Sequence, residues 1–460
     1  MRPIYLGIVY SILHGIAWLA IGSSAAAILG WFSTIFLVAF ISDKKVTILQ
    51  ALFIGGLTHV IGFCWLYDTV AELSKSGTSV TTLFFLLYLV VNSLQYGLFL
   101  IIYRNLPKFL DNLSIKSAIA WAIIESLHLR MFPWLLGHTQ FAFKPFIQIA
   151  ELFGVVTISF FMLWICDLLY QGIVKHKGKD KAAYAGLLFT AICIFGVIRI
   201  HQFDTLKTKT IKIAAVQSGE QNQSGDPKMF GTHKPLTDSI TAPVDLVVWS
   251  FIRTIYDINE SVFNINNEGA LPRLAPARNL MFGTMTYRRP DKKFKSIMLI
   301  EKNGNIPLPY HKRHFIPFGE YIPYKETFPW LRYLNPHSGD YAQGKESKVF
   351  TITTENNTQA RIGTVICYEA VLPKYLRETT KSGAQVLVVV SNDYWGGPLL
   401  DIPKNQHNVI AQFAAVENRR ALVRTTKQGI TSIVGPTGYI IAEKRDHGAG
   451  VVIADLPLIG

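Results

Sequence analysis

The sequence predicts two parts of different class: a multi-pass α-helical membrane bundle, followed by an α/β layered domain. Three observations carry this. Half of the 460 residues are hydrophobic and only 17% are charged, against about 25% in a soluble domain. Apolar stretches long enough to cross a bilayer recur up to about residue 200. From about residue 210 the pattern changes to short β-branched runs bounded by turn residues. The same composition excludes a disordered chain. With 4 Cys, 34 Gly and 21 Pro it also excludes disulfide scaffolds and collagen-like chains.

The bundle is predicted over 1–205. Its apolar stretches lie at about 3–21, 24–41, 47–67, 80–103, 116–137, 146–170 and 183–200, which makes seven spans. The first also fits a signal peptide with small residues at 25–27. With the N-terminus inside, the inner segments carry Arg2, Lys44, Lys45, Arg104, Lys108, Lys116, Lys175, Lys177, Lys179 and Lys181. The outer loops carry only Lys75 and Lys144. That asymmetry sets the orientation and puts the chain after residue 200 on the outer face. Glu125, Arg130, Glu151 and Asp167 fall in or near the spans. Such groups either mark a polar path or pair with one another. The net charge of +14 divides evenly at residue 210, with 16 Lys/Arg and 9 Asp/Glu before it and 29 and 22 after it. Without a basic tail or stripe, no nucleic-acid partner is expected. A lipid bilayer is the expected neighbour of this charge.

The second domain is predicted over 211–460. Runs such as 211–216, 244–249, 361–366, 385–391 and 429–434 read as strands, with a helix over 404–420. The segment 218–241 is polar and reads as a loop. Cys367 is this domain's single cysteine, so it has no internal disulfide partner. It stands where an apolar strand ends and Tyr368-Glu369 begins. On these grounds it is either a reacting thiol or an inert core thiol. A basic cluster, His311-Lys312-Arg313-His314, leads into an apolar turn ending at Pro323. Ser391-Asn392-Asp393-Tyr394-Trp395 follows a strand, and suits a substrate-lining loop or a tight turn.

Taken together, Phe132-Pro133-Trp134, the strand ending at Trp249, Leu280–Thr284 (LMFGT), Tyr310–Pro323 (YHKRHFIPFGEYIP), Val365–Glu369 (VICYE), Ser391–Trp395 (SNDYW) and Arg424–Thr431 (RTTKQGIT) resemble the apolipoprotein N-acyltransferase family. The resemblance runs from about residue 3 to 455. It implies a nitrilase-like αββα sandwich facing the periplasm of a bacterial inner membrane. It also implies transfer of an acyl chain from a phospholipid donor to the α-amine of an S-diacylglyceryl apolipoprotein. No cofactor and no metal are implied. Cys367 matches the nucleophile, which holds the acyl group as a thioester. Lys312 matches the lysine that stabilises the oxyanion and favours the thiolate. Glu320 matches a supporting carboxylate. Tyr368, Glu369, Trp395 and Trp249 match positions expected to bind substrate.

The chain departs from the family in three places. The general base is a Glu in a Trp-Pro-Glu motif, but here the strand reads Trp249-Ser250-Phe251, and a phenyl ring accepts no proton. Asp245, Asp257 and Glu260 are the nearest carboxylates in sequence, and none has the required spacing. Phe294-Lys295-Ser296 replaces Tyr-Asn-Ser and adds a cation. The family also carries a further membrane helix after this domain, while this sequence reads Leu458-Ile459-Gly460 at its end. Three functions stay open. One is an acyltransferase in which Glu320 substitutes as base, with Lys312 and Lys295 lowering the thiol pKa. The second is a non-catalytic lipid- or lipoprotein-binding relative. The third is a nitrilase-type amidase or a transferase with another acceptor, against which the membrane half argues.

Overall fold

The structure is a computed structural model. It describes residues 3–460 apart from 75–76, 131, 177, 220–230, 253–257, 268–270, 275–277, 289–291, 336–338, 340 and 394–400. The chain divides into two compact units. One is Met1–Thr205 with Gly397–Phe413, the other Leu206–Gly396 with Ala414–Gly460.

The first unit is helical. Among the described residues, four helices are long and apolar enough to cross a membrane: Ser24–Ile41, Thr78–Asn105, Val155–Val174 and Asp180–Asp204. A fifth crossing is available if Ile48–Phe63 and Leu66–Glu72, bent by 64°, count as one broken span. Pro3–Leu19 is apolar but has only 17 residues, at the lower limit for a bilayer core of about 30 Å. The stretch 116–137, read as one span, is not one. Its helix runs only Lys116–Leu127, roughly 18 Å at 1.5 Å per residue. The following backbone is irregular, and Phe132-Pro133-Trp134 lies in it rather than on a helix. Pro133 has no N–H and disfavours helix at the residue before it. Likewise 146–170 is interrupted at Gly154, where φ is +81°, so its long helix starts at Val155.

Irregular backbone among apolar helices must find its hydrogen bonds locally. Here buried side chains supply them. Glu125 Oε1 accepts from Leu136 N at 2.7 Å, His138 Nδ1 faces Leu135 N at 2.9 Å, and Ser159 Oγ accepts from Gly137 N at 2.8 Å. The ionisable groups also find partners. Arg199 pairs with Glu151 at 2.9 Å, Ser117 donates to Asp167 at 2.7 Å, and Arg130 donates to the Glu125 carbonyl at 2.8 Å. The returning segment 401–413 is held in the same unit. Gln406 Nε2 donates to the carbonyls of Trp18 and Gly62 and its Oε1 accepts from Trp65 Nε1, while Asn405 Nδ2 donates to Ile21 O at 2.7 Å. Gly62 O sits in the last turn before the helix break, where a carbonyl lacks its helical partner.

The second unit is a two-sheet sandwich. One sheet has the order β13-β1-β2-β4-β5-β6, with β3 on β4. Its strands are β1 Thr210–Gln217, β2 Leu246–Phe251, β3 Ile258–Asn259, β4 Asn279–Arg288, β5 Lys292–Ile300, β6 Tyr310–His311 and β13 Gly450–Pro457. The other has the order β12-β11-β10-β9-β8-β7, from β7 Val349–Thr353, β8 Gln359–Ile366, β9 Val386–Val390, β10 Ala421–Thr425, β11 Thr431–Val434 and β12 Ile440–Lys444. The central pairs β1–β2–β4 and β8–β9–β10 are parallel. Parallel strands buried on both faces read as unbroken apolar runs, and β9 (VLVVV) is buried throughout. Ile213, Val248, Met281, Ile362, Val388 and Val423 fill the space between the sheets. Helices His233–Asp238 and Pro373–Lys381 pack on β1 and β8 respectively. This is the expected nitrilase-like αββα sandwich.

Candidate active site

In parallel α/β sheets, reacting groups gather at the carboxyl ends of the strands. Here β2 ends at Phe251, β8 runs into Cys367 and β9 runs into Ser391. Cys367 has φ +49°, a left-handed conformation uncommon for a side-chain-bearing residue. It opens a tight turn, Cys367–Val371. A strand that ends in a strained turn projects its nucleophile out of the sheet. Tyr368, Glu369 and the residues after them are buried beneath it.

Glu369 holds this turn against the basic segment. Its Oε2 accepts from Ile366 N at 2.8 Å and Tyr310 Oη at 2.8 Å, and its Oε1 from Arg313 N at 2.6 Å and His314 N at 3.0 Å. One fully buried carboxylate therefore fixes Cys367 relative to Lys312. Lys312 is 1% exposed, and its Nζ lies 2.5 Å from Glu320 Oε2. Glu320 is placed by its own turn, with Ile316 N donating to Oε2 at 3.0 Å. Its other oxygen meets Lys295 Nζ at 2.6 Å. The carboxylate thus bridges two ammonium groups.

These contacts set the protonation states. Burial would raise the Glu320 carboxyl, but Lys312 and Lys295 override it and hold it at about 2. A carboxylate held so low is a weak proton acceptor, which removes the chemical basis for Glu320 as the substitute base. Burial lowers Lys312, but Glu320 and Cys367 outweigh this and leave it above the ordinary lysine value. The expected lowering of the thiol pKa is not found. Burial pushes Cys367 up, Asp393 and Glu320 add to it, and the Lys312 charge and the Ser391 hydrogen bond offset only part. The resting group is the thiol.

Of the residues expected to bind substrate, three have packing positions. Trp249 is fully buried on the opposite face of β2, with its Nε1 donating to Thr237 Oγ1 at 2.8 Å and its ring against His233. It cannot line a cavity at Cys367. Glu369 is likewise fully buried, and four donors occupy it. Tyr368 is 3% exposed and stacks on His314 at 5.6 Å. Trp395 lies outside the described residues, as does Asp257. Asp245 is tied to Lys212 N and Glu355 N at the far end of β2, and Glu260 to Thr286, Arg288 and His311.

Phe251 packs against the same inter-sheet core as Cys367. A bulge at Ser250 turns it inward. A Cβ on Gly283 would lie 2.6 Å from its ring, so β4 needs glycine there. The sequence reasoning gave no role to Asp393 and Arg424, although both lie in the quoted blocks. They form an ion pair in which neither side chain is exposed. Asp393 Oδ1 also accepts from Ser391 Oγ at 2.7 Å. The available signal was an arginine inside the buried strand β10 (ALVRT) and an aspartate just past the apolar strand β9 (VLVVV).

Residues 14–168 match the apolipoprotein N-acyltransferase N-terminal domain, and residues 277–459 match the carbon-nitrogen hydrolase domain. The chain belongs to the apolipoprotein N-acyltransferase family. A relative named apolipoprotein N-acyltransferase from Geobacter metallireducens is 29% identical over 67% of this chain, and the match spans 61% of that relative's length. Apolipoprotein N-acyltransferase 2 from Treponema denticola is 26% identical over 91% of this chain and 84% of its own. Among solved structures, an amidase from Nesterenkonia sp. gives a TM-score of 0.40 at 17% identity, covering 55% of this chain and 92% of its own. A carbon-nitrogen hydrolase from Helicobacter pylori G27 gives 0.42 at 16%, covering 54% and 89%.

Proposed function

We propose that this chain is a phospholipid-dependent apolipoprotein N-acyltransferase of the bacterial inner membrane, with its sandwich unit on the periplasmic side. The observation that carries this is the strained Cys367 turn, tied by Glu369 to a Lys312 ammonium that Glu320 holds in place. In the first half-reaction Cys367 Sγ attacks the ester carbonyl of a phospholipid. The Lys312 ammonium stabilises the tetrahedral oxyanion, and the lysophospholipid leaves. The acyl group stays on Sγ as a thioester. In the second, the α-amine of an S-diacylglyceryl apolipoprotein attacks the thioester, and the product is an amide.

The test is the intact mass of the detergent-solubilised protein after incubation with phospholipid. The expected result is an added acyl mass, released by hydroxylamine and absent from Cys367→Ala. No adduct on the wild-type chain would overturn the reading. One observation favours a second reading, a lipid- or lipoprotein-binding relative without catalysis: Phe251 replaces the carboxylate while the thiol is held protonated. Binding of lipoprotein without any adduct would support it.

A further inference from the structure

The helical unit holds an apolar groove of about 600 Å³, inside the range of about 300–1,000 Å³ typical of small-molecule sites. Three of the helices long enough to cross a membrane build it: Ser24–Ile41, Val155–Val174 and Asp180–Asp204. On the first of these, residues 24, 27, 28, 31, 32 and 35 line it, which is the spacing of a single helix face. That face is about 16 Å long at 1.5 Å per residue. A hydrocarbon core is about 30 Å thick, so the face matches the depth of one lipid leaflet. Leu169 and Ala185 line the other walls, and the Phe189 ring packs 5.7 Å from Trp31 and 5.8 Å from Phe143. The lining continues onto Ile28 and Phe32, 57% and 56% exposed, so the groove is open to the surface that these helices present to lipid.

The lining has one buried polar residue. Gln140 is fully buried among apolar groups. Its Nε2 donates to Ala27 O at 3.1 Å and to Thr139 Oγ1 at 3.0 Å, which fixes the amide near the Ser24 end of the groove. Its Oε1 has no hydrogen-bond partner among the described residues. A buried acceptor without a donor is costly, and an apolar groove gives water too few partners to stay. The occupant that fits is a single hydrocarbon chain with a hydroxyl at its polar end. A diacyl phospholipid has two chains and no hydroxyl on its ester-bearing glycerol. A lysophospholipid has one chain and a free glycerol hydroxyl.

We propose that this groove is a second lipid site, which holds a lysophospholipid with its chain along the Ser24–Ile41 face and its glycerol hydroxyl donating to Gln140 Oε1. The source of that ligand rests on the acyltransferase reading, in which each first half-reaction releases one lysophospholipid. The groove itself is lined by the helical unit alone and shares no residue with the Cys367 site. No covalent bond is made or broken there.

The test is photolabelling of the detergent-solubilised full chain with an alkyl-ether lysophosphatidylcholine that carries a diazirine in its chain. The ether bond prevents transfer to Cys367, so binding is read whether or not the chain is an acyltransferase. Label is expected on the peptides spanning 24–35 and 182–189. The unlabelled ether lysolipid is expected to displace it, and the same lipid with its hydroxyl methylated to do so at least about fivefold more weakly. Dioleoyl phosphatidylcholine is expected to compete no better than the methylated lipid. A Cβ at Gly186 meets no atom within 4 Å, so Gly186→Leu fills the groove without a clash. That variant is expected to elute as wild type while groove labelling falls at least about tenfold. Label confined to other peptides, equal competition by the methylated lipid, or unchanged labelling of a normally eluting Gly186→Leu each overturns the proposal. If Gly186→Leu elutes abnormally, the matched lipids on wild type decide it alone. Groove labelling without any acyl adduct on Cys367 fails the acyltransferase reading and keeps the site. An adduct without groove labelling strikes the site and keeps the reading.

Discussion

At the scale of single residues, Glu320 carries the clearest pH signature. Its carboxyl is at about 2 in the folded chain against an ordinary 4.5. A depressed carboxylate contributes stability that is complete above the ordinary value and lost as pH falls through the folded one. The shift corresponds to roughly 3 kcal/mol. Thermal unfolding in detergent is therefore expected to show wild type losing stability between about pH 4.5 and 2, while Glu320→Gln loses less over the same window. Equal slopes would show that the two lysines do not act on this carboxylate. Phe251→Glu tests the other half of the site. If the groups already present activate Cys367, the new carboxylate is expected to change its acylation less than about tenfold. A rise of a hundredfold or more in the mass time course would mean that the native site lacks a base.

At the scale of elements, the strand ends of the second sheet are joined by the Asp393–Arg424 pair. Removing one partner of a buried pair leaves the other charge stranded, at about 3–5 kcal/mol. Arg424→Met is expected to lower the unfolding temperature strongly, and Asp393→Asn with Arg424→Met less than the sum of the single changes. Additive losses would show the two side chains acting independently. In the helical unit, Glu125 caps the broken segment after Leu127 through Leu136 N. Glu125→Ala leaves that N–H without its acceptor among apolar helices. It is expected to lower the yield of folded, monodisperse protein in detergent, measured by size-exclusion chromatography, with Glu125→Gln retaining more of it.

At the scale of the whole molecule, the charge asymmetry of the loops makes a topological prediction. A cysteine placed at the exposed Tyr439 is expected to react with a membrane-impermeant maleimide in intact spheroplasts, and one placed at the exposed Lys44 only after lysis. Reversed labelling would put the sandwich unit on the inner face and remove its access to exported lipoproteins.

Much of this molecule was legible in one dimension. Hydropathy separates the helical part from the β-branched part because lipid and a sandwich core impose different periods on apolar residues. The end of β8 at Cys367, the basic segment at Lys312 and the apolar Phe251 at the end of β2 are all local in the chain. The broken spans were less legible, since apolar runs at 116–137 and 146–170 are equally apolar whether or not the helix continues. What decides the first is whether Glu125, His138 and Ser159 reach the backbone after Pro133, and what decides the second is the positive φ of Gly154. The burial of Trp249 and Glu369, the bridging of two lysines by Glu320 and the upward shift of the thiol came only from tertiary structure. Burial and the convergence of charges from distant segments determine proton affinity, and neither quantity is written in residue order. The sequence by itself therefore determined which groups could react, and the fold decided which of them holds a proton.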